Sequence, residues 1–191
     1  MSAAAGLAKR EWLRFVRQPT RIVASVGTAA LLWIVLAGGL DGAFTGPVRY
    51  GPFLVPGMAA MVVLFSSIFA AMSLIEDRDS GYLQAVAVAP GGLRAMIIAK
   101  CGVGALIAGA QGALVLAAGP LVGLSPSSTG WLLAIAALLL LSIGISSLGL
   151  ALAWRTGSVA GFHGIMNGLL MPMWLLSGSK ISLKLFGLTK L

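Results

Sequence analysis

The stretch YGPFLVPGMAAMVVLFSSIFAAMSLI, residues 50–75, carries no charged side chain. An apolar helix of about 18 or more residues is long enough to cross the hydrocarbon core of a bilayer. Four further uncharged blocks run through the chain: Ile22 to Leu40, Cys101 to Leu124, Gly130 to Trp154 and Ser158 to Ser177. The sequence therefore predicts an all-α, polytopic membrane protein with about five transmembrane helices.

The composition supports this fold class. Of the 191 residues, 59% are hydrophobic and only 9% are charged, which is too few charges for the surface of a soluble domain. The net charge of +8 comes largely from basic residues beside the apolar blocks, a pattern typical of membrane topology signals rather than of nucleic-acid binding. The single cysteine, Cys101, excludes an intramolecular disulfide, and we expect it to pack rather than react.

The distribution of lysines and arginines predicts an orientation. One side of the membrane would hold the N-terminal segment and the second and fourth loops, with basic residues Lys9, Arg10, Arg14, Arg17, Arg21, Arg78, Arg94, Lys100 and Arg155. The other side would hold only Arg49 before the C-terminal tail. The positive-inside rule therefore predicts a cytoplasmic N-terminus. Lys180, Lys184 and Lys190 in the tail break this pattern.

The segment before the first apolar block is amphipathic if residues 5–21 form a helix. One stripe holds Arg10, Arg14, Arg17 and Arg21, and the opposite side holds Ala5, Ala8, Trp12, Phe15 and Val16. This pattern predicts an interfacial helix with its aromatic side in the acyl boundary and its arginines toward lipid phosphates. A plain basic flank is the alternative. Pro19 is predicted to end or bend the helix.

The second loop reads EDRDSGYLQAVAVAP, residues 76–90. Glu76, Asp77 and Asp79 are predicted to begin a short helix, where acidic groups suit the positive end of the helix dipole. Apolar residues follow at helical spacing, and Pro-Gly-Gly at residues 90–92 ends the helix. An apolar helix face outside the membrane predicts a docking surface for a partner.

These stretches resemble the ABC-2 type transporter permeases, the group that includes daunorubicin-resistance and nodulation-factor export permeases. The matching segments are REWLRFVRQPTR at Arg10 to Arg21, PGM at Pro56 to Met58, IEDRDSGYLQAVAVAP with the trailing Lys100, and GFHGIMNGLLMPMWLLSG at Gly161 to Gly178. The resemblance covers nearly all of the first 178 residues. It implies the membrane subunit of an ATP-driven exporter in the cell (inner) membrane, multi-pass and not itself an enzyme.

The resemblance also implies a coupling element. In this family a helix in the second loop seats in a groove of a separate ATPase subunit, the N-terminal helix touches that subunit, and two permeases work with two ATPases. Carried over to this chain, the coupling residues would be Glu76, Asp77, Arg78, Gly81, Tyr82, Leu83, Val86 and Pro90. Tyr82, Leu83 and Val86 would be the anchors. A simple cytoplasmic turn is the alternative. Because the sequence has no GxxxxGK[ST] motif, hydrolysis would belong to the partner.

Polar residues inside the last block have two interpretations. His163 and Asn167 share one helix face, where they would form either an interhelical hydrogen bond or an intramembrane functional site. Glycine pairs at residues 157 and 161, and at 164 and 168, predict close helix packing. We expect no catalytic, cofactor-binding or metal-binding set, since a lone histidine cannot form a metal site.

The resemblance ends after Gly178. Members of the family continue into a phenylalanine-proline stretch, an external re-entrant element and a sixth span, whereas residues 179–191 read SKISLKLFGLTKL. We therefore predict an incomplete ABC-2 transmembrane domain over residues 1–178 and a divergent basic tail over residues 179–191. A truncation or frameshift would explain the tail, and a genuine five-span variant is the alternative.

Three functions fit the sequence. The first is the permease subunit of an exporter, acting as a homodimer in the lipid bilayer on an unidentified substrate. The second is a membrane scaffold or assembly protein that recruits a cytoplasmic partner through the second loop. The third is a secondary transporter in which His163 and Asn167 would form the ion-coupled site, although no acidic residue lies deep in a predicted span.

Overall fold

The computed structural model describes residues 3–40, 50–89, 91–124 and 127–177. These residues form α-helices and one short 3-10 helix, and they contain no β-strand, so the predicted all-α fold is confirmed. The α-helices are α1 (Ala3–Val16), α2 (Pro19–Leu40), α3 (Tyr50–Asp79), α4 (Tyr82–Ala87), α5 (Gly92–Ala117), α6 (Ser128–Arg155) and α7 (Val159–Ser177). The 3-10 helix, Gly119–Val122, follows α5.

Three stretches of the described residues are long and apolar enough to cross a membrane: Leu54–Asp79, Gly92–Val122 and Ser128–Arg155. They correspond to α3, to α5 with the 3-10 helix, and to α6. Helices α2 and α7 are also apolar, with 22 and 19 residues. The chain is thus a multi-pass membrane protein, and the count of five spans stays a prediction.

Helix α3 lies at the centre of the bundle and packs against α2, α5, α6 and α7. Small residues allow this close approach, as is usual between helices in lipid. A Cβ atom placed on Gly112 of α5 would lie only 2.6 Å from Val63 Cγ2 of α3 and 3.2 Å from the carbonyl oxygen of Ala59. A Cβ atom on Gly149 of α6 would lie 3.2 Å from Ala71 Cβ. The helix backbones therefore depend on glycine at these crossings.

The glycine pairs at residues 157 and 161, and at 164 and 168, do not allow a close helix crossing within the described residues. A Cβ atom on Gly157, Gly164 or Gly168 would meet nothing within 4 Å, and one on Gly161 would meet only the neighbouring Ser158 and Thr156. The predicted packing role of these pairs is therefore wrong for contacts inside the described chain. The close crossings lie instead on α5 and α6, around the central helix.

Several buried polar side chains inside the bundle form hydrogen bonds with each other. Gln111 of α5 accepts hydrogen bonds through Oε1 from Ser25 of α2, at 2.9 Å, and from Ser66 of α3. Ser146 of α6 donates to Ser67 of α3 at 3.1 Å. Since lipid offers no hydrogen bonds, such pairs hold helices together where an unpaired polar group would be costly.

The first helix ends where Pro19 predicted a break. Helix α1 stops at Val16, and α2 starts with Pro19, a position where proline is tolerated because the first N–H groups of a helix lack intrahelical partners. Of the predicted arginine stripe, only Arg10 and Arg14 lie on α1. Arg17 lies in the break, and Arg21 lies in the first turn of α2.

The second loop is shorter than its sequence suggested. Helix α3 continues through Asp79, so the prediction that Glu76, Asp77 and Asp79 begin the short helix is wrong: these acidic residues end α3. Gly81, with φ of 75°, makes the turn into the six-residue α4. Gly91, with φ of 96°, precedes α5, and Pro90 lies outside the described residues.

Candidate functional site

A group of ionised side chains gathers at the end of the bundle where α3 ends and α5 begins. We call it the charge cluster, and its members are Arg10, Glu11, Arg14, Arg21, Glu76, Asp77 and Lys100. They come from α1, α2, α3 and α5, so four separate stretches of sequence meet here. Together they carry four positive and three negative charges.

Lys100 and Asp77 form the buried centre of the charge cluster. Lys100 Nζ lies 2.6 Å from Asp77 Oδ2, and each side chain is only 1% exposed. Lys100 also donates to Glu11 Oε1 at 3.0 Å and to Ser73 Oγ at 2.8 Å. Two charges buried at this depth are tolerable only if they are paired and fully hydrogen-bonded. The contact ties α5 to α3 and to α1.

The arginines bind the end of α3 from the other side. Arg14 donates to Asp77 Oδ1 at 2.8 Å and to Glu76 Oε2 at 2.6 Å, and Arg21 lies 2.5 Å from Glu76 Oε1. Acidic side chains at the C-terminal end of a helix face the negative end of its dipole, which is unfavourable. The cations of α1, α2 and α5 offset this repulsion, and they thereby fix α1 against the bundle.

Arg10 connects three helices. It lies 3.0 Å from Asp77 Oδ1 of α3 and 2.9 Å from its neighbour Glu11, and its guanidinium stacks 3.7 Å above the ring of Tyr82 in α4. Burial lowers the pKa of Arg10, but the hydrogen bond and charge of Asp77 outweigh this effect and raise the pKa above its usual value. A permanently charged group thus links α4 to the charge cluster.

The residues of the predicted interfacial helix divide between two environments. Arg10, Arg14 and Arg21 are directed to carboxylates of the chain itself, and not to lipid phosphates as the sequence suggested. Phe15 is half-buried, whereas Trp12 and Arg17 are exposed. The helix is therefore amphipathic, but its ionic face is turned inward.

The apolar face of α4 is also covered by the chain itself. Val86 is 6% exposed and lies in the same buried core as Ile75 and Met96, while Tyr82 and Leu83 pack against that core. The burial of Val86 does not agree with its predicted role as an anchor on a partner, whereas Tyr82 and Leu83 are only half-buried and their anchor role stays a prediction. The exposed residues around α4 are Gln84, Ala85, Ala87, Val88 and Ala89.

Arg78, another predicted coupling residue, has a structural partner. Its guanidinium donates to the carbonyl oxygens of Trp154, at 3.3 Å, and of Thr156. These carbonyls lie at the C-terminal end of α6, where the last carbonyl groups lack intrahelical donors. Arg78 therefore anchors the end of α6 to the end of α3.

Substitution of Arg78 by methionine is expected to lower the free energy of unfolding by about 1.5–3 kcal/mol, because a hydrogen bond that involves a charged group contributes about that much. Detergent-solubilised protein unfolded by a denaturing detergent, followed by helical circular dichroism, would measure the change. Arg155→Met is the matched control, because Arg155 is exposed at the same end of α6. Equal stability of the two variants would contradict the role of Arg78.

The predicted polar pair, His163 and Asn167, lies on α7, which contributes no member to the charge cluster. His163 is half-buried on α7, with its ring centroid 5.9 Å from that of Phe69 on α3. Its Nδ1 atom is buried and has no hydrogen-bond partner among the described residues. Asn167 is half-buried one turn further along α7. The predicted interhelical hydrogen bond is thus not made through His163 Nδ1, and a functional role for the pair stays a prediction.

Sequence reasoning missed Glu11 and Ser73 and gave Lys100 no partner. Ser73 is buried on α3, and Glu11 is the only acidic residue in the basic segment before the first apolar block. One signal was present: a lysine close to an apolar block requires a carboxylate partner if its helix is buried. The identity of that partner depends on the packing of α1, which local spacing does not reveal.

The described chain thus combines apolar spans, a short helix outside them and an ionic connection between the two. A family model described as ABC-2 type transporter matches residues 4–187 of the chain. The chain belongs to the ABC-2 type transporter family. This confirms the resemblance seen in the sequence, and the match runs nine residues past Gly178. The narrower likeness to daunorubicin-resistance and nodulation-factor permeases and the missing sixth span stay predictions, and the predicted divergent tail, residues 179–191, lies outside the described residues.

A curated relative supports this membership in the ABC-2 type transporter family. The chain is 29% identical over 155 residues to a protein of Porphyra purpurea named "Putative transport permease ycf38". The aligned part covers 78% of this chain and 53% of the relative, so the chain spans about half the length of that relative. No solved structure shows a significant match to the chain.

Proposed function

We propose that this chain is the permease subunit of an ATP-driven ABC-2 type exporter and that α4 transmits the action of a separate ATPase subunit. Family membership supports the transport role. The single observation that carries the coupling role is the position of α4, with one face embedded in the core and the opposite face exposed. A helix in this position transmits a force that the ATPase subunit exerts on its exposed face, through its buried face, to the membrane spans.

The proposed contact surface for the ATPase subunit is the exposed face of α4 and the residue that follows it, instead of the anchors predicted from the sequence. It consists of Gln84, Ala85, Ala87 and Val88. Val88 is 87% exposed, although it is apolar, and small alanine side chains on either side would let a partner approach closely. An apolar residue ringed by small ones suits a shallow groove in another protein. Tyr82, Leu83 and Val86 then act as the attachment of α4 to its own subunit.

The charge cluster supplies a stiff connection from α4 to the spans. Movement of α4 is carried to α3 by Val86 and by the turn at Gly81, and to α1 by the Arg10–Tyr82 stack. Lys100 then joins α5 to the same unit through Asp77. Because separating buried ion pairs costs several kcal/mol, these helix ends are expected to move together.

In the proposed transporter, two copies of the chain form the substrate path between them and alternate its exposure between the two sides of the membrane. In the proposal the ATPase is a separate chain, as in the family that the sequence resembles, and these 191 residues themselves contain no GxxxxGK[ST] motif. The end that carries the charge cluster would face the cytoplasm, in agreement with its excess of lysine and arginine. The cell inner membrane is the proposed location.

Substitution of Val88 by aspartate tests this proposal. We expect it to weaken association with the ATPase subunit about tenfold, because a charge in an apolar interface centre costs at least 1.4 kcal/mol. The chain is purified from its native membrane together with the co-purifying subunit that carries a P-loop, and ATP hydrolysis is measured after reconstitution in vesicles. The measurement compares subunit retention and ATPase rate with those of the unchanged complex.

Gly157→Asp is the matched control, because Gly157 is exposed, lies outside the candidate spans between α6 and α7, and a Cβ atom there meets nothing within 4 Å. The proposal requires that Gly157→Asp retains the subunit and its ATPase rate while Val88→Asp loses both. Equal behaviour of the two variants would remove α4 as the docking site. Retention of the subunit without any change of its ATPase rate would favour a membrane scaffold.

A further inference from the structure

Helix α1 has an outer face that the charge cluster does not use. Lys9, Trp12, Leu13, Val16 and Arg17 follow each other at the spacing of one helix face, and all five are exposed. Trp12 is 44%, Leu13 42% and Val16 52% exposed. The Arg17 N–H bonds the Leu13 carbonyl oxygen at 3.1 Å, so the helical turn continues to Arg17. The result is an apolar centre with a cation at either end.

The two cations of the outer face are not paired with carboxylates of the described chain. Arg10 and Arg14 on the inner face are bound to carboxylates, whereas Lys9 and Arg17 form no ion pair within the described part of the chain. An external anion would therefore meet these two cations first. The next helix, α2, starts only two residues after Arg17 and is apolar, so this face is expected to lie beside the membrane surface.

We propose that the outer face of α1 binds anionic phospholipids, with Lys9 and Arg17 holding headgroup phosphates on either side of the inserted Trp12, Leu13 and Val16. Charge complementarity selects this occupant. The lysine and arginine stems reach outward past the apolar centre toward phosphates, and an indole ring suits the boundary between acyl chains and headgroups. A protein partner would need an acidic rim around an apolar pocket. The inference is independent of ATPase coupling.

Tryptophan fluorescence of the whole chain tests the proposal. The chain is placed in phosphatidylcholine nanodiscs that hold nitroxide-labelled phosphatidylglycerol or, at equal mole fraction, nitroxide-labelled phosphatidylcholine. Subtracting the signal of Trp12→Phe isolates Trp12 from the other four tryptophans. We expect stronger quenching of Trp12 by the phosphatidylglycerol label. Raising the salt concentration should reduce the difference, because screening weakens surface charge attraction.

The variants Lys9→Gln and Arg17→Gln should each reduce this selectivity about fivefold, since one surface lysine or arginine contributes about 1 kcal/mol to attraction by an anionic membrane. Arg94→Gln with Arg155→Gln is the matched control, because these two arginines are also exposed but lie on α5 and α6. Equal quenching by the two labels overturns the anionic selectivity. Absence of quenching by either label means that protein or water covers this face, and it overturns the proposal altogether.

Discussion

Replacing Lys100 with methionine is expected to lower the free energy of unfolding by about 3 kcal/mol or more. The substitution keeps the length of the side chain but removes the buried cation that donates to Asp77, Glu11 and Ser73. Removing one partner of a buried ion pair typically costs about 3–5 kcal/mol. Because Arg10 and Arg14 remain bound to Asp77, we expect the lower end of this range. Unfolding in a denaturing detergent, monitored by helical circular dichroism, measures the loss.

Two comparisons make this expectation specific. Arg94→Met removes a cation from the same helix, but Arg94 is exposed, so its free energy of unfolding should change by less than about 0.5 kcal/mol. Asp77→Asn should cost less in the Lys100→Met background than in the unchanged chain, because the two side chains are in contact and their effects on stability are coupled. A Lys100→Met protein as stable as Arg94→Met would show that the pair is not buried as described.

Gly112→Leu should be the most damaging change in the membrane-spanning part. The new Cβ atom would lie 2.6 Å from Val63 Cγ2, and it would also approach a backbone oxygen of α3 that cannot rotate away. Overpacking of this kind costs about 1–3 kcal/mol and more where the backbone must shift. We expect a loss of about 3 kcal/mol in the free energy of unfolding, measured as for Lys100.

Gly102 provides the matched control on the same helix. A Cβ atom at Gly102 meets nothing within 4 Å, so Gly102→Leu should be neutral or slightly stabilising through helix propensity. The milder Gly112→Ala should fall between the two leucine variants. If Gly102→Leu and Gly112→Leu unfold alike, the close α3–α5 crossing is not the reason for glycine at position 112.

Much of the fold could be predicted from the sequence because the features that indicate it lie in neighbouring residues. Uncharged blocks long enough to cross a bilayer gave the helices, and Pro19 marked the break between α1 and α2. The family resemblance was also carried by contiguous stretches, and the family match confirms it. Such features are contained in neighbouring residues, so no knowledge of packing is needed.

The site was less predictable because its contacts are remote in sequence. Glu76 and Asp77 were assigned to the start of α4 by helix-dipole reasoning, but their true partners are cations from distant α1, α2 and α5. Periodicity likewise identified an apolar face on α4 correctly. It could not show that the protein core, rather than a partner, covers Val86.

The acidic end of α3 also bears on how the chain is made. Arg10, Arg14 and Arg21 precede Glu76 and Asp77 in the chain, so the ribosome releases the cations before the carboxylates. Helix α1 is therefore already at the bilayer, with cations that can pair with these carboxylates, when α3 is synthesised. Lys100 follows later in the chain. Without α1, Asp77 would have no cation at the C-terminal end of the α3 dipole until Lys100 follows, and Glu76 would keep only Arg21 of α2. We therefore expect α1 to guide the biogenesis of the bundle as well as to stabilise the finished protein.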